Sequence, residues 1–410
     1  MQNNQKIPKG WSVKKLGEIS CLIAGNAFNS EDFIDMGIPL IRISNIADDG
    51  IVLDENTAFL PESFLKENSK FVIRQTDLLI AMSGATTGKM GINTFSEPML
   101  LNQRVCIIRA KDVLQNFLNQ YLFTHKKDIL RQSYGGAQPN IGNNDIKKIK
   151  VLLPPLEEQE KIAGILGTWD EAIEKLSSLI EQKKRLKKGL MQKLLTGQTR
   201  LPGFTQPWKE VKLGEIGTIS SAGVDKKIVE GEDLVELLNY MDVYKKDFLY
   251  KTDTSMTVSA PMRQIKNCNL RKGDIFFTPS SETPDDIAHS AVVMEDIPNG
   301  VYSYHIIRLR PTTLIDLKFS AYAFKTAKFY KQAYAWCEGS GQRYVISQDD
   351  FRNMKIYIPS NISEQHAIAD VLSTSDDEIN LLNQKLEALK EQKKGLMQQL
   401  LTGQIRVKVN

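Results

Sequence analysis

The sequence is poor in the residues that build most reaction centres. It has 4 cysteines and 4 histidines in 410 residues. Cys21, Cys106, Cys268 and Cys337 stand far apart with no Cys-x-x-Cys. That argues for free thiols in a reducing compartment and against a disulfide framework or a structural zinc site. His125, His289, His305 and His366 show no metal-ligand spacing with one another. No apolar run approaches the roughly 18 to 20 residues that cross a bilayer. The opening MQNNQKIPKGW has no apolar signal region, so a cytoplasmic chain without membrane contact is expected. Net charge is only +4, too small by itself to argue for a nucleic-acid partner. The remainder, 41% hydrophobic and 25% charged, is ordinary globular composition. At about 150 residues per domain, the length predicts two to four domains.

Catalytic signatures are missing too. The loop MSGATTGKMG (Met82 to Gly91) looks like a phosphate-binding loop but has Ser83 and Met90 where that motif needs glycine and Ser/Thr. A DNA amino-methyltransferase would carry a glycine-rich cofactor loop and an Asn/Asp-Pro-Pro-aromatic tetrapeptide, and the one Pro-Pro, Pro154-Pro155, precedes Leu156. A nuclease needs clustered carboxylates with a lysine to hold metal. The two Glu-Gln-Lys triplets (Glu181 to Lys183, Glu391 to Lys393) lie inside helical repeats, as surface charges. A non-catalytic chain without a cofactor or metal of its own is expected.

An internal repeat dominates what is present. Glu158 to Arg200 recurs as Glu364 to Arg406 without a gap, with 23 of 43 positions identical. Trp11 and KLGEI (Lys15 to Ile19) recur as Trp208 and KLGEI (Lys212 to Ile216), and Asp77 corresponds to Asp274, both at an offset of 197. Proline and glycine punctuate the joints. The chain therefore divides into a first variable domain (1–153), a helical repeat (154–200), a second variable domain (201–358) and a second helical repeat (359–410).

In the first helical repeat Ile162, Leu166, Trp169, Ile173, Leu176, Ile180, Lys183, Lys187, Leu190 and Leu194 alternate steps of four and three, a heptad seam. The second repeat keeps register with Ile368, Leu372, Ser375, Ile379, Leu382, Leu386, Leu389, Lys393, Leu396 and Leu400. Thr-Gly closes both copies, with glycine where a helix end favours a left-handed residue. The economical burial for each stripe is the other copy. The expected fold is thus α+β: two α/β domains separated by two long helices forming an antiparallel coiled coil with pseudo-two-fold symmetry. Packing of each helix on its own domain is the alternative. Glu181 to Arg200 carries seven basic residues and one acidic, which suits a solvated helix face, phosphate contact or a docking partner.

Within the first domain, Pro39 to Ile43, Phe71 to Ile73, Leu78 to Met82 and Val105 to Arg109 read as strands and Asp112 to Gln132 as a helix. Asp316 to Trp336 is the corresponding helix of the second. The loop residues Ser83, Thr86, Thr87 and Lys89 could contact phosphate or a base edge. The amides Gln138 and Asn140 in QPNIGNND, and Gln342, Arg343 and Tyr344 in the counterpart, suit bases and backbone, although such amides also form turns.

Taken together, these segments resemble the specificity subunit of type I restriction-modification systems over the whole length. The likeness rests on W-x-x-x-KLGEI at each domain start, LIRISNI (Leu40 to Ile46), GATTGK (Gly84 to Lys89), LNQRV (Leu101 to Val105), QPNI, PPLEEQEKIA and the twice-used KGLMQ-x-LLTGQ. The second domain departs from it, with TPSSETPDD in place of the glycine-rich loop and LVELLNYMDV in place of LIRISNI. The resemblance implies two target recognition domains that each read half of a split, asymmetric sequence in double-stranded DNA. It implies two modification subunits and two restriction subunits as partners, carrying S-adenosylmethionine, ATP and Mg. Among these motifs and loops the DNA-binding candidates extend to Arg42, Asn45, Gln103 and Arg104 in the first domain. In the second they are Asn239, Asp242, Ser280, Ser281, Thr283, His289 and His305, although the two histidines also read as ordinary polar residues. The apolar seam residues are candidates for spacer and subunit docking. A self-contained methyltransferase and a non-DNA coiled-coil adaptor are the alternatives.

Overall fold

The computed structural model describes residues 7–47, 50–84, 86–127, 141–254, 256–341 and 343–409. Two compact units emerge, Met1–Ser177 with Lys385–Asn410, and Ser178–Gln384. The long helices Leu156–Leu194 and Ile362–Leu401 each contribute residues to both.

In the first unit, Ser20–Ala24, Val105–Ala110, Leu78–Ala81 and Met90–Ile92 form an antiparallel sheet in that order. A second sheet, Ala58–Leu60, Ile38–Ile41, Met99–Leu101 and Val72–Ile73, has a parallel pair at its centre. Leu78, Leu79, Ile80 and Ala81 are all buried, which is why this stretch reads as an unbroken apolar run. The second unit repeats the plan. Gly217–Ser220, Ile307–Pro311, Ile275–Phe277, Ser290–Val293 and Phe248–Leu249 form one sheet, and Asp233–Leu238 pairs in parallel with Gly300–Tyr302 in another. Each domain closes its first strand on its last: Ser12–Lys15 on Lys150–Leu153, and Trp208–Lys212 on Lys355–Pro359.

The sequence correspondence Asp77/Asp274 has a physical meaning. Arg109 donates Nε (2.8 Å) and Nη2 (2.5 Å) to Asp77, and Arg310 donates the same two groups to Asp274 at 2.6 and 2.7 Å. Each carboxylate is buried and also accepts a backbone N–H, from Arg74 or Arg271. The hydrogen bonds to Asp77 and Asp274 raise both arginines above their ordinary pKa. Asp274→Asn is expected to lower stability by about 2 kcal/mol, because it removes the charge partner of a bidentate pair but keeps an acceptor. Urea unfolding checks this.

Three sequence expectations need correction. The strand expected to reach Ile43 ends at Ile41, because the Arg42 N–H turns to the Asn45 side chain and Ile43–Asn45 is a 3-10 turn. The helix expected from Asp112 begins at Gln115, since Asp112 has φ 60° and the Leu114 N–H is taken by Gln159. This helix is interrupted after Thr124, with the His125 ring against the Tyr121 carbonyl; Lys126 and Lys127 are again helical, and positions 128–132 lie outside the described residues. The helix expected over Asp316 to Trp336 is two, Leu317–Tyr322 and Ala327–Trp336, because Thr326 is extended and caps the second through the Phe329 N–H.

The helix pairing is antiparallel in each unit. In the first, Asp170 meets Lys393 at 2.5 Å, and Ile162 and Leu166 share a core with Leu400. In the second, Lys187 meets Asp376, Lys183 meets Glu378 at 2.6 Å, and Leu194 shares a core with Ile368 and Leu372. The two Lys–Asp pairs are the same pair at the repeat offset of 206, so the seam lysines are counter-charged across the helices and not solvated breaks. Their aspartates also hold the domains: Asp170 accepts from Gln120 (2.7 Å) and Asp376 from the Tyr322 hydroxyl (2.7 Å).

A latch recurs likewise. Glu158, buried, accepts Trp11 Nε1 at 3.2 Å and Arg406 Nε at 2.9 Å, with the Arg406 guanidinium 5.7 Å from the indole ring. In the second unit Glu364, 0% exposed, accepts Trp208 Nε1 at 3.2 Å and Arg200 Nη2 at 2.7 Å, with Arg200 5.8 Å from that indole. The neighbouring glutamines join helix to domain in the same way: Gln159 accepts the Leu114 N–H at 3.0 Å and Gln365 the Asp316 N–H at 2.9 Å.

On the strand Trp208–Lys212, Glu210 reaches Lys328 at 2.7 Å and Lys355 at 3.0 Å, and these ammonium groups hold its carboxyl down at about 2. A depressed carboxylate contributes stability above its unfolded-state pKa, which is lost as pH falls through the folded value. The urea midpoints of wild type and Glu210→Gln are therefore expected to differ at pH 7 and to converge as pH falls from about 5 toward 2.

Candidate nucleic-acid interface

In the first unit, the strand Leu78–Ala81 leads into the loop that holds Ser83, Thr86, Thr87 and Lys89. The loop closes tightly: Gly88 N–H donates to the Ala81 carbonyl at 2.7 Å, and Gly84 and Gly88 have φ 83° and 78°, which only glycine adopts without strain. Thr87 Oγ1 donates to the Gly84 carbonyl at 2.6 Å, a turn-forming role. Thr86 Oγ1 is buried without a partner, and Ser83 and Lys89 are half-buried. Beside this loop lies the turn of Gln103 and Arg104, tied to it by Met82 N–H donating to the Arg104 carbonyl at 2.9 Å. Both side chains are exposed. Ile141 N–H donates to the Met82 carbonyl at 2.9 Å, so the segment after Asn140 also meets the loop; Gln138 and Asn140 themselves lie outside the described residues.

Asn45 is corrected from candidate to scaffold. It is 3% exposed, accepts the Arg42 N–H at 3.0 Å, and donates to the Val52 carbonyl (3.1 Å) and Thr57 Oγ1 (3.2 Å). Arg42 is half-buried and donates Nη2 to the Asn56 carbonyl at 2.6 Å.

The second unit builds the same face with other residues. Asp242 accepts the Asn239 N–H at 2.8 Å, as Asn45 does for Arg42, so it too is a capping residue first. Asn239 donates to the Leu237 carbonyl at 3.3 Å, and its Oδ1 is buried without a partner. Ser280 and Ser281 form a short strand against Arg343–Val345, with Ser281 opposite Tyr344. Arg343 and Thr283 are exposed; Gln342 lies outside the described residues. His289 is not free to read a base through both nitrogens, because Nε2 lies 2.7 Å from Asp286. Asp286 also accepts the Tyr244 hydroxyl at 3.0 Å, and this bond raises the phenol above its ordinary range. The Tyr240 hydroxyl donates to the Ser280 carbonyl at 2.7 Å, fixing the helix Tyr240–Lys245 beside the short strand. His305 is exposed, its ring centroid 4.4 Å from that of Tyr304.

Sequence reasoning missed Tyr304, Tyr240 and Tyr244. Tyr304 had a signal: with the insertion counted, Ser303-Tyr304-His305 aligns with Asn102-Gln103-Arg104 at an offset of 201. The seam residues, expected to serve docking as well as spacing, are spent inside the chain. Ile162, Leu166, Leu176, Ile180, Leu194, Ile368, Leu372, Ile379, Leu386 and Leu400 are buried, and Trp169, Ile173, Leu190, Leu382, Leu389 and Leu396 half-buried. The apolar residues the helices leave in solvent are others, among them Leu179, Leu186 and Leu381.

A mixed domain built twice on shared antiparallel helices, alike in framework and unlike in exposed loops, defines a tandem-domain protein whose halves differ in what they present. The family profile described as the type I restriction modification DNA specificity domain matches residues 8–183 and again 205–391, and the chain belongs to this family. It is similar to the type I restriction enzyme MjaVIII specificity subunit of Methanocaldococcus jannaschii, 25% identical over 418 residues, covering 98% of this chain and 95% of the relative. It is also similar to the EcoBI specificity subunit of Escherichia coli, 23% identical over 391 residues, covering 88% and 78%. In structure it resembles the type I restriction-modification S subunit from M. genitalium, with TM-score 0.57, 17% identity and coverage of 100% and 99%. A chain solved in work on assembly and conformational transition of the type I R-M system gives TM-score 0.60 at 18% identity, covering 98% and 100%. At these identities the likeness to the solved structures is one of fold.

Proposed function

We infer that this chain is the DNA-binding specificity subunit of a type I restriction-modification complex. Each mixed domain reads one half of a bipartite, asymmetric target, and the paired helices serve as the spacer. Two modification subunits and two restriction subunits assemble on it. They hold S-adenosylmethionine, ATP and Mg and carry out the chemistry, while this chain supplies recognition and works in the cytoplasm. The observation that carries the reading is the contrast within the molecule. The Arg–Asp clamps, latches and Lys–Asp pairs are kept in both units, while the loop 82–89 and its counterpart 278–289 share neither length nor chemistry. No helix among the described residues is long and apolar enough to cross a membrane.

Replacing residues 1–153 with the corresponding domain of another specificity subunit, in the full chain with its modification subunit, is expected to change one half-site of the methylated sequence and leave the other. A change in both, or in neither, overturns the assignment of one half-site to each domain. Binding should weaken steeply with salt, as phosphate contacts release counterions. The purified chain alone should transfer no methyl group to DNA; turnover by it would return the self-contained methyltransferase to first place.

A further inference from the structure

One turn is built identically in the two units and filled differently. In the first it is Asn102-Gln103-Arg104, after the strand Met99–Leu101; in the second it is Ser303-Tyr304-His305, after Gly300–Tyr302. The N–H of its first residue donates to the end of the parallel partner strand, Asn102 to Ile41 and Ser303 to Leu238, both at 3.0 Å. The turn closes by Val105 N–H to the Asn102 carbonyl (3.0 Å) and Ile306 N–H to the Ser303 carbonyl (3.4 Å). A third segment lies against it, through Asn26 N–H to Leu101 (3.1 Å) or Val224 N–H to Tyr302 (2.9 Å). That approach is so close that a Cβ on Gly25 would sit 2.0 Å from the Asn102 oxygen, and one on Gly223 2.1 Å from the Tyr304 nitrogen.

The backbone is thus held from three sides, while the polar ends of its exposed side chains are left without a hydrogen-bond or charge partner among the described residues. Gln103 and Arg104 are exposed, and neither side chain meets a hydrogen-bond or charge partner among the described residues. Tyr304 is 50% exposed; its ring contacts that of His305, and its hydroxyl has no hydrogen-bond partner among the described residues. The turn's backbone is already fixed, so binding there pays ordering entropy for the side chains alone, and their polar ends are available to a partner without breaking an internal bond. Asn45, Thr87, Asp242 and His289, by contrast, are spent on internal hydrogen bonds.

We propose that this turn is the base-edge reader of each domain, with Gln103 and Arg104 reading by hydrogen bonds in the major groove and Tyr304 and His305 by ring contact with a base or its methyl group. The proposal rests on the reading of the chain as a DNA specificity subunit. The chemistry follows from the side chains. A glutamine amide matches adenine and an arginine fork matches guanine, whereas a tyrosine ring offers an apolar face that suits a thymine methyl.

The test maps methylated sequences for the full chain with its modification subunit, comparing wild type with Arg104→Ala, Arg104→Lys and Tyr304→Ala. Arg104→Ala is expected to relax one position of one half-site, by about tenfold to a hundredfold in discrimination. Arg104→Lys should relax it too, since lysine lacks the planar fork. Tyr304→Ala should relax the other half-site only. Thermal unfolding should be unchanged in all three, because the side chains are exposed. The proposal falls if Arg104→Ala weakens all sequences equally while Arg104→Lys restores binding, which marks a phosphate contact, or if Tyr304→Ala leaves the map unchanged. A wild-type chain with no defined methylated sequence would instead refute the underlying function, and so the two failures are distinguishable.

Discussion

Glu364→Ala lowers the stability of the second unit by about 4 kcal/mol in the outcome expected from its surroundings. The carboxylate is 0% exposed and holds two partners at once, the Arg200 guanidinium and the Trp208 indole N–H. Removing it leaves the Arg200 guanidinium with the Gln206 carbonyl but no charge partner, and an indole donor unpaired. Glu364→Gln should recover the indole bond but not the charge pairing, and so fall between. Arg200→Lys should behave like a loss, since an ammonium cannot make the two parallel bonds or lie flat on the indole. Urea unfolding followed by tryptophan fluorescence reads the effect directly, Trp208 being part of the latch. A midpoint change equivalent to less than about 0.5 kcal/mol, the range of ordinary surface substitutions, would show the latch to be idle.

The second large effect concerns the helix pair. Asp376→Ala should cost about 3 kcal/mol, because it leaves the Lys187 ammonium, only 15% exposed, without a counter-charge and the Tyr322 hydroxyl without an acceptor. Burial, and then the bond to Asp376, raises the Tyr322 phenol well above its ordinary range, so it remains the donor. The informative companion is the double variant Lys187→Met, Asp376→Leu. Apolar replacement of a part-buried ion pair often restores or raises stability, while a single polar pair in an apolar seam fixes register. The double variant should therefore regain the part of the stability lost with the charge pair, short of the Tyr322 hydroxyl's bond, and yet exchange amide hydrogens faster along both helices. Protection equal to wild type would mean that the apolar seam alone sets register.

Much of this architecture could be read before the structure, for identifiable reasons. The heptads announced two long helices because their spacing is local, and Thr-Gly marked their ends. Trp11/Trp208, Glu158/Glu364 and Arg200/Arg406 were likewise visible as repeated identities. Their meeting was not, because Glu158 takes Arg406, 248 residues away, instead of Arg200. The break that splits Asp316 to Trp336 into two helices is not legible in the sequence, since it depends on one side-chain cap at Thr326 within an otherwise helical pattern. The candidate loops were found as loops, but which polar ends are free is a matter of hydrogen-bond partners. Composition showed Asn45 and Gln103 as equivalent amides; one is buried in a cap and the other stands in solvent.

The crossed latch also dictates the order of events at the ribosome. Every residue of the second unit precedes position 385, whereas the first unit draws on Lys385–Asn410. The domain synthesised first is thus the last to be completed, its Trp11–Glu158 seat standing open until Arg406 emerges. A premature stop shortly before that codon would leave the later-made domain intact and unseat the earlier one, the reverse of what truncation does to an ordinary string of domains.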